Sequence, residues 1–150
     1  MPSGLSLVLN QSSIAVSASP QLIPTTLKAG AGVSPGNYSV TLEASLADGP
    51  GVNETFTVEV VPMLVIMQDL AFHPSNISVP AGTKVTWLNL DSEIGCCDPG
   101  EHDVSFTALN YTSPVISQYQ STSHTFGEDG VYYYYCTIHL FMLGRVTVSG

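Results

Sequence analysis

Short runs of alternating apolar and polar residues, separated by Gly, Pro, Asn and Asp, dominate this chain, and helical periodicity is weak throughout. Alternation of period two puts one face of a strand in a core and the other in water. Tyr38, Val40 and Leu42 alternate in this way with Ser39, Thr41 and Glu43. Strands are predicted in the first part at Leu5–Leu9, Ile14–Ser17, Thr25–Ala29, Tyr38–Leu46 and Thr55–Val61. Ser19-Pro20, Ser34-Pro35-Gly36-Asn37 and Asp48-Gly49-Pro50-Gly51 supply the turns between them. Proline cannot donate to a ladder, so Pro62 ends the series. The chain therefore divides at that point into residues 1–62 and 63–150. The second part carries predicted strands at Leu64–Met67, Ile77–Val79, Val85–Leu90, Val104–Phe106, Thr122–Phe126, Val131–Tyr135 and Arg145–Val148. So many short strands in so few residues imply an all-β class and a β-sandwich. One short helical turn is a candidate in Pro114–Tyr119.

Composition narrows the function. The 150 residues suffice for one ordinary domain or two small ones. Twelve acidic residues against three basic ones give a formal net charge of -9. Lys28, Lys84 and Arg145 are scattered, so nucleic acid is not expected as a partner and anionic membrane surfaces should repel the chain. The chain is expected to be soluble as given, or anchored to a membrane or cell surface within a longer chain. No apolar run is long enough to cross a bilayer. Met1-Pro2-Ser3-Gly4 lacks the basic start and apolar stretch of a signal peptide, as expected of an excised piece with an added Met1. Five of the six asparagines, Asn10, Asn37, Asn53, Asn76 and Asn110, sit in N-x-S/T. That frequency points to an N-glycosylated surface protein, extracellular, periplasmic or on the cell surface, against the plainer explanation of Ser/Thr richness.

The chemistry gathers in Tyr132-Tyr133-Tyr134-Tyr135-Cys136-Thr137-Ile138-His139-Leu140-Phe141-Met142-Leu143-Gly144-Arg145-Val146. This segment puts a thiol, an imidazole and a thioether on one loop between two strands. Upstream, Glu101-His102-Asp103-Val104 opens another strand. Two imidazoles and a thiolate can form a trigonal plane with a weak axial thioether, which is the blue-copper donor set. Sulfur suits Cu(I) and imidazole suits both oxidation states. A second metal in a two-copper site would need a further bracketing cysteine. Zinc would want a harder donor than Met142.

Residues 63–150 resemble the cupredoxins, the plastocyanin and amicyanin group. The resemblance runs through Phe72-His73-Pro74, Val79-Pro80-Ala81-Gly82-Thr83-Lys84-Val85-Thr86-Trp87-Leu88-Asn89, and Gly130-Val131 into the ligand loop. It implies a Greek-key β-sandwich holding one copper ion, with His102 as the strand-borne ligand. Cys136, His139 and Met142 are then the loop ligands, in the short C-x2-H-x2-M spacing of the amicyanin type. Asn89 and Asp103 are the expected supports of those ligands. Many relatives carry Asn where Asp103 stands. An aspartate cannot donate that bond unless protonated, so the tie between ligand loops is not expected in the same form. Residues 1–62 resemble part of an Ig-like module of archaeal and bacterial surface proteins. The likeness rests on Pro35-Gly36-Asn37-Tyr38-Ser39-Val40-Thr41 and a closing strand into Val60-Val61. Such a partial sandwich would leave an edge to be covered.

The resemblance implies an electron-transfer protein rather than an enzyme, exchanging electrons with a cytochrome, oxidase or reductase. His139 is expected to show an imidazole edge to solvent. Leu140, Phe141 and Leu143 are the candidate docking patch, or else a cap on the core. Asp91, Glu93, Asp98, Glu101 and Asp103 either steer a cationic partner or form a solvated loop. One pair of the four tyrosines must face inward. Cys96 and Cys97 are neighbours, open to a vicinal disulfide, an intermolecular bridge or two free thiols. His73 and His124 read as structural or surface residues. Two rival functions are copper-dependent chemistry on nitric oxide or nitrite and a structural, adhesive surface module.

Overall fold

The structure, a computed structural model, describes residues 5–9, 25–29, 33–44, 51–93, 98 and 100–150. It divides into two compact units, Met1–Val60 and Val61–Gly150.

Among its described residues the first unit has two antiparallel strand pairs. Strand β1 (Leu5–Leu9) pairs with β2 (Thr25–Ala29), with Leu7 opposite Leu27. Strand β3 (Gly36–Ala44) pairs with β4 (Val52–Val60) from Gly36↔Val60 to Ala44↔Val52. The period-two reading holds along β3, where Val40 is buried and Ser39 and Thr41 are exposed. On the wet face the Thr41 and Thr55 hydroxyls share a hydrogen bond of 2.8 Å. The strand predicted at Ile14–Ser17 lies outside the described residues.

Among its described residues the second unit has nine strands. They are β5 (Met63–Gln68), β6 (Ala71–His73), β7 (Asn76–Pro80), β8 (Thr83–Asn89), β9 (Ser105–Phe106), β10 (Tyr111–Thr112), β11 (Ser121–Phe126), β12 (Gly130–Tyr135) and β13 (Leu143–Ser149). They form a five-stranded sheet in the order β10-β9-β12-β13-β7 and a four-stranded sheet in the order β11-β8-β5-β6. Strands β13 and β7 run parallel, as do β5 and β8, and the other pairs are antiparallel. This is the expected all-β sandwich. Strands β6 and β10 were not predicted, because two or three residues are too few to show a period.

Helix is confined to a 3-10 turn at Thr107–Leu109 among the described residues. The helical turn anticipated in Pro114–Tyr119 is not there. Ile116 donates to the His102 carbonyl at 2.7 Å and accepts from the His102 amide at 3.2 Å. Those backbone groups are spent across the chain, so none is left for helical bonds.

Trp87 is fully buried at the centre of the core, edge-on to Phe106, Phe126 and Tyr134 at ring separations of 5.8, 6.5 and 5.5 Å. In β12 the inward pair is Tyr132 and Tyr134, while Tyr133 stays 68% exposed. Gly144 lies opposite Tyr134 in the ladder, and a Cβ there would come within 2.2 Å of the Tyr134 ring. Only glycine gives the ring that space.

Candidate metal centre

One end of this sandwich collects the chemistry. His102 stands just before β9, Cys136 just after β12, and His139 and Met142 on the loop into β13. A ladder contact, Tyr135↔Ser105, brings the end of β12 beside the start of β9. The loop closes on itself: the Met142 amide donates to the His139 carbonyl at 2.9 Å, and the Cys136 amide to the Met142 carbonyl at 3.2 Å. His102, Cys136 and Met142 are buried, and His139 keeps 9% of its surface.

The donor atoms converge. Cys136 Sγ lies 3.9 Å from Nδ1 of each imidazole, and the two Nδ1 atoms are 3.1 Å apart. A point equidistant from the three lies about 2.1 Å from each, close to the bonds that imidazole and thiolate make to first-row metal ions. Each imidazole presents its other nitrogen to a carboxylate. His102 Nε2–H donates to Asp91 Oδ2 at 2.9 Å, and His139 Nε2–H to Asp98 Oδ2 at 2.7 Å. With Nε2 protonated in both rings, both Nδ1 atoms carry lone pairs, and these face one another and the sulfur. Such a cluster of acceptors asks for a cation. Burial pushes the Cys136 thiol up, and the Asp103 carboxylate adds to that, against the amides of Asp103, His139 and Ile138. A bound cation would release that proton.

The strand side is braced heavily. Buried Asn89, at the end of β8, donates through its side-chain amide to the carbonyls of Gly100 and Ile116 at 2.7 and 2.8 Å. Its oxygen accepts the Asp91 amide at 2.8 Å. Asp91 accepts the amides of Asp69 and Leu70 at 2.7 and 3.1 Å as well as His102. Burial alone would push its carboxyl up. The Leu70 amide, His102 and the Asp69 amide outweigh that and hold it below the usual carboxylate range. Asp98 also sits low, held first by the Gly100 amide and then by His139.

Asp103 ties the ligand loops in a different form, as expected of a residue that cannot donate. The tie between ligand loops exists, with its direction reversed. Asp103 accepts the Thr137 amide at 2.6 Å and the Thr137 hydroxyl. Its own amide donates to Cys136 Sγ at 3.5 Å. A carboxylate cannot donate, so the residue after the cysteine does.

The acidic residues around His102 do not form a solvated loop as a whole. Asp91 and Asp103 are buried and Asp98 is turned inward, while Glu93 is exposed. Sequence reasoning missed Asp91 and Asp98 as histidine partners. The visible signal was the density of carboxylates between Asn89 and His102. His139 does not present the free edge expected of it, because Asp98 occupies that nitrogen. Leu140, Phe141 and Leu143 are 69%, 66% and 64% exposed, so they do not cap the core. Cys96 and Cys97 lie outside the described residues. His73 is exposed and bonds the Gln68 carbonyl, and His124 is half-buried among Phe106, Tyr111 and Phe126.

Comparison with known proteins agrees with this geometry. Residues 59–149 match the family of copper binding proteins of plastocyanin/azurin type. Amicyanin from Paracoccus denitrificans is 31% identical over 92 residues, which is 58% of this chain and 65% of its own length. The chain therefore spans just under two thirds of that relative. Plastocyanin from Sambucus nigra is 32% identical over 92 residues, covering 53% of this chain and 89% of its own. A solved structure of an amicyanin variant in its Cu(I) form superposes with a TM-score of 0.54 at 30% identity, over 61% of this chain and 86% of that one. With that match over most of its length and this donor set at one end of a β-sandwich, the chain belongs to the plastocyanin/azurin family of copper-binding proteins, the cupredoxins, and its cofactor is copper.

Proposed function

We propose that the protein carries single electrons at a mononuclear blue-copper site in which His102, Cys136 and His139 bind the ion and Met142 supplies the axial sulfur. The observation that carries this reading is the convergence of Cys136 Sγ with two Nδ1 atoms whose rings are each locked from behind by a carboxylate. When bound, copper supplies one-electron redox chemistry. The protein holds the donors in place before and after, so little has to move. Buried His102, Cys136 and Met142 keep water and small molecules away, which favours a carrier over a catalyst acting on nitric oxide or nitrite.

The exposed side chains of Leu140, Phe141 and Leu143 form the docking patch for a redox protein, a cytochrome, oxidase or reductase. A location outside the cytoplasm is supported by the sequons, since Asn37, Asn53, Asn76 and Asn110 are all exposed while Asn89, outside any sequon, is buried. No helix among the described residues is long and apolar enough to cross a membrane.

Addition of Cu(II) to the apoprotein tests the proposal. An intense visible thiolate-to-copper band is expected, and Cys136→Ser should abolish it. A metallated wild type without colour would overturn the reading.

A further inference from the structure

Both imidazoles at the site are backed by carboxylates, and the two carboxylates are held differently. Asp91 is buried in the body of the sandwich. Asp98 sits on the approach loop with its side chain 26% exposed, yet it is not free to swing. Its Oδ1 accepts the Gly100 amide at 2.9 Å while its Oδ2 accepts His139 Nε2–H at 2.7 Å. Gly100 itself has φ +65, and a Cβ there would come within 2.2 Å of the Ser92 carbonyl oxygen. The turn that presents Asp98 therefore depends on glycine. Its carboxylate holds a proton on Nε2 and so leaves Nδ1 of His139 as the lone-pair nitrogen facing Cys136 and His102.

We propose that Asp98 is a positioning residue for His139: it fixes the tautomer and ring angle of the loop imidazole, closes that nitrogen to solvent, and places a negative charge against the donor set that favours the more highly charged oxidation state of a bound ion. This deepens the copper reading and rests on it. A carboxylate hydrogen-bonded to a ligating imidazole raises the ring's basicity, and loss of such a partner typically costs about 10- to 100-fold in metal affinity. Cu(II) gains more than Cu(I) from the charge, so the two affinities should separate.

Asp98→Asn removes the charge with little change of shape. It should weaken Cu(II) binding about tenfold relative to Cu(I), equivalent to a rise of about 59 mV in reduction potential. Asp98→Glu, which keeps the charge, should recover part of the shift. Glu93→Gln, at an exposed carboxylate on the same stretch, should move the potential far less. Equal shifts from Asp98→Asn and Glu93→Gln would reduce Asp98 to a surface charge and overturn the inference.

A second readout needs no copper. In the apoprotein the ring proton of His139 should appear on Nε2 by nitrogen-correlated NMR and exchange slowly. Asp98→Ala should speed that exchange or move the proton to Nδ1, and an unchanged signal would overturn the positioning role. If wild type shows the thiolate–copper band but Asp98→Asn leaves its potential unmoved, the inference fails while the copper reading stands. If wild type shows no band, the copper reading fails and takes the charge-tuning half with it. The apoprotein signal then still decides the positioning half.

Discussion

The strand-held and loop-held halves of the copper site use one device at two depths. On the strand side, fully buried His102 leans on Asp91, whose carboxylate collects three donors, and Asn89 ties the surrounding loop with three more bonds. On the loop side, His139 leans on Asp98, which collects two donors and keeps contact with water, and exposed Leu140 and Phe141 flank it. The same pair of side chains is thus part of the interior in one place and part of the surface in the other. A buried half can set where the metal sits, because its polar groups have no solvent to fall back on. A half at the rim can meet a partner, because it gives up little to do so.

The largest expected break in this comparison is Asp91→Ala. It strands the His102 ring N–H and the amides of Asp69 and Leu70, and should cost about 3 kcal/mol of stability in denaturant unfolding of the apoprotein. Asp98→Ala should cost less, since water replaces the lost acceptor. Comparable losses from the two would erase the distinction drawn between the halves. Gly100→Ala comes next, at about 2 kcal/mol from the left-handed backbone alone, with more if Ser92 must shift. It should also disturb the His139 ring through Asp98, visible in the copper spectrum.

A smaller effect sharpens the comparison from behind the site. Burial holds His124, on β11, below its ordinary 6.5. The unfolded chain therefore takes up this proton more readily than the folded one. The stability involved is fully present above the unfolded value and is lost as pH falls below it toward the folded value. His124→Gln should flatten the acid side of the stability curve, read from apoprotein unfolding at about pH 7 and about pH 5. An unchanged slope would remove His124 from the account. Leu140→Glu should be smallest in stability, within about 0.5 kcal/mol, because the side chain is already in water. Its effect belongs to function: electron exchange with a redox partner should slow at unchanged copper loading, and an unchanged rate would remove Leu140 from the docking patch.

Much of this was legible beforehand. The period of two along Tyr38–Glu43 marked a strand without any knowledge of its partner. Cys136, His139 and Met142 declared themselves by spacing, because a single loop must carry them to one point. His102 was identified by resemblance to known cupredoxins. The 3-10 turn at Thr107–Leu109 and the short strands β6 and β10 were not legible, since so few residues show no period.

By itself, the chain of residues determined the loop donors Cys136, His139 and Met142 and the sandwich class, which follow from local pattern and side-chain chemistry, whereas the exposure of Leu140, Phe141 and Leu143 was settled only by the structure. Only the tertiary structure decided which tyrosine pair turns inward, since Gly144 must lie across from Tyr134 to admit its ring. It alone also decided that Asp91 and Asp98 back the two imidazoles and that Thr137 supplies the donor Asp103 cannot. Those contacts join residues 11, 41 and 34 positions apart. Nothing in an aperiodic acidic loop states which carboxylate will face inward until the sheets have set where each end arrives.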